Sequence, residues 1–292
     1  MPDNSRPSNS RSISGLIEIA GRYDAILCDV WGVLHNGVAA WPEAVAALSE
    51  FRLQGGTVVM ITNAPRPRGP VVAQLESLGV PDGVFDDVVT SGDVTRVLIG
   101  EADRKVYHIG PERDLKLFEG LDIELVDRDE AETIVCTGLR DDRAETPEDY
   151  TNELDELASR ELPFICANPD IVVEHGHTLI WCAGALARDY AKMGGETRIV
   201  GKPHRPIYEH ACARACDIAG RELPLDRILA IGDGMPTDVA GAAAFGIDLL
   251  YVSAGIHSAD YGEPDNPDPQ ALQRFLDSHG AKPVAWLPRL VW

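Results

Sequence analysis

The stretch Ala25-Ile26-Leu27-Cys28-Asp29-Val30-Trp31-Gly32-Val33-Leu34 joins an apolar run to an acidic residue and a glycine. Its first four residues predict a buried strand, and Gly32 allows the chain to turn sharply after it. Ligands of open parallel sheets bind beyond the carboxyl ends of the strands. Asp29 is therefore a candidate nucleophile toward phosphorus or a candidate ligand of a divalent metal. A turn or helix cap is the alternative role for an acidic residue at this place.

Short apolar runs alternate with helical patterns on both sides of this stretch, which predicts an α/β fold with a Rossmann-like, mostly parallel sheet. The expected helices are Pro42–Leu53, 70–78, 207–219, 238–245 and 270–278, and the expected strands are 57–61, 228–231 and 249–252. Both ends of the chain therefore build one sheet.

The middle of the chain has an alternation of its own, with expected strands at Lys105–Ile109, Thr133–Cys136 and 164–167 and a helix at 147–160. This segment is long enough to be an inserted α/β domain. We accordingly expect a core of residues 13–90 and 196–292, and an inserted domain of residues 91–195. Residues 262–269 are rich in Pro, Gly and Asp and predict a linker before the last helix.

Composition limits the range of partners. The 292 residues include 47 acidic and 26 basic ones, so the formal net charge is -21. This charge argues against nucleic acid as the main partner, because phosphate-backbone binding needs a basic surface. No apolar run approaches the ~20 residues that span a bilayer, which argues against a membrane-spanning role. Residues 1–12 are polar and lack the apolar stretch of a secretory signal, which predicts a disordered tail and a cytoplasmic protein.

The six cysteines are more typical of reduced core residues than of a disulfide framework, given a long chain without a signal peptide. Cys28 and Cys136 lie in apolar runs that fit this interpretation. Cys212 and Cys216 are four residues apart on an expected helix with histidines nearby, and a zinc site there is the alternative.

Three further polar groups follow expected strands. Thr62 and Asn63 offer a hydroxyl, an amide and backbone N–H groups to phosphate oxygens, although the same sequence also suits a strand-ending turn. The Lys202 ammonium could neutralise a phosphoryl group, or lie in solvent as most lysines do. Asp233 and Asp238 stand in a Gly-rich loop before a helix, where hard oxygen ligands suit Mg²⁺ and where Asp238 could also cap the helix.

Taken in order, these strand-end residues resemble the haloacid dehalogenase superfamily over nearly the whole chain. The insertion follows Thr62-Asn63-Ala64-Pro65, and with the segment Ala167-Asn168-Pro169-Asp170 it resembles class IIA, whose members carry a C2-type cap. That class contains phosphatases of sugar phosphates, pyridoxal phosphate and 4-nitrophenyl phosphate. The resemblance implies a core with an inserted cap domain and a small phosphorylated metabolite as substrate. Oligomeric state stays open, although members of this class often form homodimers through the cap.

The resemblance also implies roles for single residues. Asp29 would be the nucleophile and, with Asp233 and the backbone carbonyl of Trp31, a ligand of Mg²⁺. Thr62 and Asn63 would bind the phosphoryl group, and Lys202 would neutralise its charge. Asp238 would support the water shell of the metal or Lys202.

Trp31 departs from the family pattern, because the phosphatases carry there an acid that protonates the leaving group and later activates water. Indole offers only a poor donor and no base. Three outcomes stay open: substrates whose leaving group needs no proton, such as aryl or acyl phosphates; replacement of the acid by His35; or phosphometabolite binding and regulation without catalysis. Asn168 and Asp170 are further candidate contacts of the leaving group in the cap.

The sequence thus predicts a Mg²⁺-dependent phosphatase-like hydrolase that acts through phosphorylated Asp29. Carbon–phosphorus or carbon–halogen cleavage is the enzymatic rival, since neither chemistry needs the acid that Trp31 replaces. Dehalogenation is disfavoured because Asp233 and Asp238 preserve a metal site.

Overall fold

The computed structural model describes residues 10–175 and 178–292. Residues 1–9 of the expected tail lie outside the described residues. Arg11 and Ser12, which the sequence analysis also assigns to the tail, form a strand instead, because they pair in parallel with Ala285 and Trp286. None of the helices in the described ranges combines the length and the apolarity that crossing a bilayer requires.

The described ranges contain helices and strands in regular alternation. The strands are β1 (Arg11–Ser12), β2 (Ala25–Asp29), β3 (Thr57–Thr62), β4 (Asp87–Thr90), β5 (Lys105–Ile109), β6 (Glu124–Leu125), β7 (Thr133–Cys136), β8 (Phe164–Cys166), β9 (Val172–His175), β10 (Thr178–Trp181), β11 (Thr197–Ile199), β12 (Ile228–Gly232), β13 (Asp248–Val252), β14 (Gly262–Glu263), β15 (Asn266–Pro267) and β16 (Ala285–Leu287). The α-helices are α1 (Ile17–Ala20), α2 (Pro42–Leu53), α3 (Arg68–Ser77), α4 (Ser91–Glu101), α5 (Thr151–Ser159), α6 (Ala183–Lys192), α7 (Arg205–Ala219), α8 (Ala240–Phe245) and α9 (Pro269–Ser278). Short 3₁₀ helices span Glu112–Phe118, Arg128–Glu130, Pro147–Tyr150, Leu225–Arg227 and Ser258–Asp260, and a π-helix spans Met235–Val239.

The chain divides into two compact units. The first unit contains the described residues up to Met60 together with Val80–Asp87 and Cys212–Trp292, and the second contains Ile61–Gly79 and Val88–Ala211. The core and cap limits expected from the sequence, with the insertion at residues 91–195, stay a prediction.

The larger sheet has the strand order β1-β16-β13-β12-β2-β3-β4. Its neighbours β13 and β12, and β12 and β2, pair in parallel, as the alternating pattern predicts. Cys28 lies opposite Ile231 in this pairing, so Asp29 and Asp233 follow one and two residues later at the same edge of the sheet. All five residues of β2 and of β12 are buried, which explains why both strands are almost wholly apolar.

The second unit contains a smaller parallel sheet in the order β11-β8-β7-β5-β6. Ile134 and Cys136 of β7 point into one apolar cluster, and Val135 between them points into another. This alternation is that of a strand with a core on each face. The buried cysteines of the two sheets are free thiols, in agreement with the prediction of reduced core residues.

Three expected elements differ in detail from the structure. The segment expected to be a linker forms the antiparallel pair β14–β15, because Gly262 and Glu263 find partners in Pro267 and Asn266. The helix expected at 147–160 begins as a 3₁₀ helix, whose Pro147 follows a capping box at Thr146. The helix expected at 238–245 begins earlier, as the π-helix.

Candidate active site

Three carboxylates meet at the carboxyl edge of the larger sheet. Asp29, Asp233 and Asp238 each offer one oxygen, and these three oxygens lie within 4.8 Å of one another. Their residues are 6%, 6% and 4% exposed. Buried carboxylates that crowd together repel one another unless a cation neutralises them. An all-oxygen donor set of this kind fits Mg²⁺, which prefers hard oxygen ligands, so the residues present fit the metal that the sequence analysis expects.

Asp233 is held by main-chain groups on two sides. Its Oδ2 accepts a hydrogen bond of 2.8 Å from the Ile256 N–H. Gly32 lies so close that a Cβ atom there would overlap the Asp233 carboxylate, and its φ of +80° is a conformation that favours glycine. The glycine in the opening stretch therefore serves two needs, the turn after β2 and the space for Asp233.

Asp238 lies within the π-helix and turns back toward its start. Its Oδ2 accepts hydrogen bonds from the Gly234 N–H at 3.1 Å and from the Thr237 hydroxyl at 3.3 Å. The side chain thus stabilises the first turn after β12, as the capping alternative predicts, while it also lies in the carboxylate cluster. The role of Asp238 at the metal stays a prediction.

Trp31 and His35 pack against each other in the turn after β2. Their ring centroids are 4.9 Å apart with an edge-on geometry. His35 is 1% exposed, and its Nδ1 accepts a hydrogen bond of 2.9 Å from the Gly37 N–H. A proton on Nδ1 would point at the Gly37 N–H, and this hydrogen bond would be lost. Nδ1 is therefore occupied by a main-chain donor, and this observation opposes the use of that atom as the replacement for the missing acid.

The loop after β13 contributes groups that the sequence analysis does not select. Besides the Ile256 N–H, His257 accepts through Nε2 a hydrogen bond of 3.2 Å from the Met235 N–H at the start of the π-helix. Burial lowers the pKa of His257, which favours this neutral, accepting form. Loop residues directly after an apolar strand are the signal that identifies Asp29, and the same signal after β13 would have pointed to this loop.

In the second unit, Thr62 ends β3 and Asn63 follows it, and both are buried, as is Lys202. The Thr62 hydroxyl accepts a hydrogen bond of 3.2 Å from the Ala64 N–H. The Asn63 side chain forms two hydrogen bonds with the main chain of Lys202. Its Oδ1 accepts a hydrogen bond of 2.7 Å from the Lys202 N–H, and its Nδ2 donates one of 3.1 Å to the Lys202 carbonyl. Asn63 thus positions Lys202. Because the Asn63 side chain is engaged in these hydrogen bonds, the predicted contact of Asn63 with phosphate would have to come from its main chain, and it stays a prediction.

The expected leaving-group contacts also have partners within the second unit. Asp170 accepts a hydrogen bond of 2.8 Å from the Asn63 Nδ2, and the Asn168 Oδ1 accepts one of 3.0 Å from the Asp170 N–H. Asn168 therefore shapes its own turn. Asp170 extends the network that fixes Asn63 and Lys202.

The zinc alternative finds no support among the described residues. Cys212 and Cys216 lie on α7, but burial raises the pKa of the Cys212 thiol to about 12, which disfavours the thiolate that binds zinc. The Cys216 Sγ accepts a hydrogen bond of 3.3 Å from the Leu223 N–H. Within the described ranges, the clustered metal-ligand group is that of the three aspartates.

Comparisons with known proteins agree with this geometry. A family model described as haloacid dehalogenase-like hydrolase matches residues 26–124, and one described as HAD-hydrolase-like matches residues 199–277. A crystal structure of a hydrolase of the haloacid dehalogenase-like family from Brucella suis 1330 is 54% identical, with a TM-score of 0.87, and the match covers 96% of this chain and 100% of that chain. The chain belongs to the haloacid dehalogenase-like hydrolase family.

Two curated relatives are more distant members. The ribonucleotide monophosphatase NagD of Escherichia coli K12 is 26% identical over 242 residues, which are 80% of this chain and 89% of the relative. The D-glycerol 3-phosphate phosphatase of Mycobacterium tuberculosis is 27% identical over 260 residues, 84% of this chain and 68% of the relative. These matches confirm the class IIA resemblance and identify the chain as a phosphatase-like hydrolase of the haloacid dehalogenase-like family.

Proposed function

We propose that this haloacid dehalogenase-like hydrolase is a Mg²⁺-dependent phosphatase of small phosphorylated metabolites that acts through phosphorylated Asp29. The observation that carries the proposal is the buried cluster of three carboxylates at the ends of β2 and β12. Two curated relatives whose names describe phosphatases support the reaction class.

The aspartates and one main-chain group would hold the metal. Asp29, Asp233 and the backbone carbonyl of Trp31 are the proposed ligands, and Asp238 would support the water around the ion. When bound, Mg²⁺ supplies positive charge that stabilises the phosphoryl oxygens. Thr62, the main chain of Asn63 and the Lys202 ammonium are the proposed contacts of the phosphoryl group, and the Asn63 amide keeps Lys202 in place.

The proposed reaction has two steps. The Asp29 carboxylate attacks phosphorus while the bond to the leaving oxygen breaks, which gives an acyl phosphate on Asp29. Water then attacks this phosphorus, releases inorganic phosphate and restores the carboxylate. The leaving oxygen of an alkyl ester needs a proton in the first step, and the side chain of Trp31 has no carboxyl group to supply it.

Trp31 should therefore select substrates by their leaving group. General acid catalysis typically contributes ~10²–10⁴-fold, so alkyl phosphates should react more slowly than aryl or acyl phosphates by a factor of this order. Aryl and acyl leaving groups are stable as anions and depend less on the proton. The second candidate function, metabolite binding without turnover, is favoured by the same residue together with the engaged Nδ1 of His35.

The test is turnover of 4-nitrophenyl phosphate, acetyl phosphate and an alkyl phosphate with Mg²⁺, for wild type, Asp29→Asn and Trp31→Asp. We expect Asp29→Asn to abolish turnover, and Trp31→Asp to raise alkyl phosphate hydrolysis selectively. Asp226→Asn is the matched control, because Asp226 is an exposed residue of the first unit. Binding of the substrates without Asp29-dependent turnover of any of them would establish the second function instead.

A further inference from the structure

The loop of residues 253–261, which we call the β13 loop, holds the turn after β12 at two points. Its Ile256 N–H donates a hydrogen bond of 2.8 Å to the Asp233 Oδ2, and its His257 Nε2 accepts one of 3.2 Å from the Met235 N–H. These two points are only two residues apart along the chain. The position of the proposed metal ligand Asp233 therefore depends on the position of the β13 loop.

The main chain of the β13 loop lies directly against the Asp233 side chain. Gly255 comes so close that a Cβ atom at position 255 would overlap the Asp233 Oδ2. A glycine at this position thus leaves the space that the carboxylate occupies. Because the two groups are in direct contact, a displacement of the loop is passed on to the carboxylate rather than absorbed by a gap between them.

The start of the β13 loop is tied to the strand β16. The Ser253 N–H donates to the Leu287 carbonyl and the Ala254 N–H donates to the Pro288 carbonyl, each at 2.9 Å. These hydrogen bonds continue the parallel pairing of β13 with β16. This end of the loop is therefore held by the larger sheet.

Tyr261 closes the β13 loop at its other end. Its hydroxyl donates a hydrogen bond of 2.7 Å to the Ser253 carbonyl, eight residues earlier, and lies 3.1 Å from the Tyr251 hydroxyl. Tyr261 has one hydroxyl proton and uses it on Ser253, so Tyr251 is the donor in the second bond. Burial raises the pKa of both phenols, which keeps both protons in place. The two ends of the loop are thus joined through a buried side chain.

An aromatic residue of α9 packs against the same part of the loop. The Phe275 ring lies edge-on to Tyr261, with centroids 5.2 Å apart, and its centroid is 5.3 Å from that of His257. One ring therefore contacts both the residue that closes the loop and the residue that holds Met235.

We propose that Tyr261 is a positioning residue for the metal ligand Asp233. Its hydroxyl fixes the β13 loop, and the loop fixes the Asp233 carboxylate through the Ile256 N–H. The proposal rests on the proposed function, in which Asp233 binds Mg²⁺, and it adds a residue that acts on the metal through the loop. Groups that orient metal ligands typically contribute ten- to a hundredfold in metal affinity, and Tyr261, one step further from the metal, belongs at the lower end of this range.

The experiment measures the dissociation constant of Mg²⁺ by calorimetry, without substrate, for wild type and Tyr261→Phe. Phenylalanine keeps the ring against Phe275 and removes only the hydroxyl that closes the loop. We expect the dissociation constant to rise roughly tenfold. Asp233→Asn should remove the binding event, which identifies it as the one at the carboxylate cluster.

Tyr23→Phe is the matched control. The Tyr23 hydroxyl also lies in the first unit and donates a hydrogen bond of 2.8 Å to the Asp248 Oδ2, at the opposite end of β13 from the loop. Both variants therefore lose one tyrosine hydrogen bond, and urea unfolding should show a loss of stability in both. The Mg²⁺ dissociation constant should rise in Tyr261→Phe alone, a result that a purely structural role of Tyr261 would not give.

Phe275→Leu is the second variant, for use if Tyr261→Phe does not fold. Phe275 is half-buried, and its replacement loosens the Tyr261 ring while the hydroxyl stays, so the dissociation constant should rise in the same direction by a smaller factor.

An unchanged dissociation constant in the variant that folds, or an equal rise in Tyr23→Phe, would overturn the positioning role. A wild-type protein that does not bind Mg²⁺ would overturn it together with the proposed metal. Mg²⁺ binding that depends on Tyr261, in a protein without Asp29-dependent turnover, would overturn the proposed reaction and leave the positioning role supported.

Discussion

Gly32 is the residue on which the geometry of the carboxylate cluster most directly depends. With a φ of +80°, it lies against the Asp233 carboxylate and leaves no room for a Cβ atom. Asp233 is held from the other side by the Ile256 N–H. Any side chain at position 32 therefore displaces either the turn after β2 or Asp233 itself.

Gly32→Ala should raise the Mg²⁺ concentration needed for half-maximal hydrolysis of 4-nitrophenyl phosphate by roughly ten- to a hundredfold, the usual effect of disturbing groups that orient metal ligands. Gly55→Ala is the control, because Gly55 has a φ of +87° and nothing within 4 Å of its Cβ position. It shares the backbone strain, about 1–2 kcal/mol, without the overlap. Urea unfolding of the two variants measures the effect of the backbone strain on stability. The dependence of activity on Mg²⁺ concentration measures the effect of the overlap with Asp233. Equal Mg²⁺ requirements in the two variants would show that Gly32 does not shape the cluster.

At the scale of the elements, α4 shows how one hydroxyl begins a helix. The Thr90 Oγ1 accepts from the Asp93 N–H at 2.9 Å and donates to the Asp93 carboxylate at 2.9 Å. Thr95 is also fully buried on α4, yet its hydroxyl has no hydrogen-bond partner among the described residues. The same substitution should therefore destabilise the protein at position 90 but not at position 95.

Thr90→Val should lower the free energy of unfolding by about 1–2 kcal/mol, because the helix loses its N-cap. Thr95→Val should leave it unchanged or raise it by up to ~1 kcal/mol, since it replaces a buried hydroxyl that makes no bond with a methyl group of similar size. Urea unfolding of the two variants and wild type gives the comparison. If Thr95→Val proved as damaging as Thr90→Val, the cap would not be the cause.

The same helix marks the limit of what the sequence predicts. The strands β2 and β12 are long apolar runs with an acid after each, so their positions and their three carboxylates can be read from the residues. Helix α4 begins with Ser91 and Gly92 and has low helical propensity, and it forms because residues such as Ile99 pack into the core of the second unit. Contacts between distant residues, such as the Asn63 amide on the Lys202 main chain, have no local signature and require the structure.

At the scale of the whole molecule, the chain has an excess of acidic residues, and some of them are stabilised by pairing with nearby arginines. The net charge is -21, yet Asp24 accepts hydrogen bonds from Arg227 and is paired with Arg221. These arginines lower the pKa of Asp24 to about 2. A carboxylate with a lowered folded-state pKa stabilises the fold above its ordinary value of 3.8 and loses this effect as the pH falls toward 2. A loss of folding stability at pH values above 4 must therefore have a source other than Asp24.

His108 is such a source, because its burial, and to a lesser degree the charge of Arg140, lowers its pKa from 6.5 to about 4. The unfolded chain binds a proton at this residue below pH 6.5 and the folded chain does so only near pH 4, so stability falls as the pH drops between these values, by up to about 3 kcal/mol. His108→Gln should flatten the pH dependence of urea unfolding in this window, whereas the same change at exposed His210 should not. An unchanged slope in His108→Gln would mean that the pKa of His108 is the same in the folded and the unfolded chain, contrary to its burial.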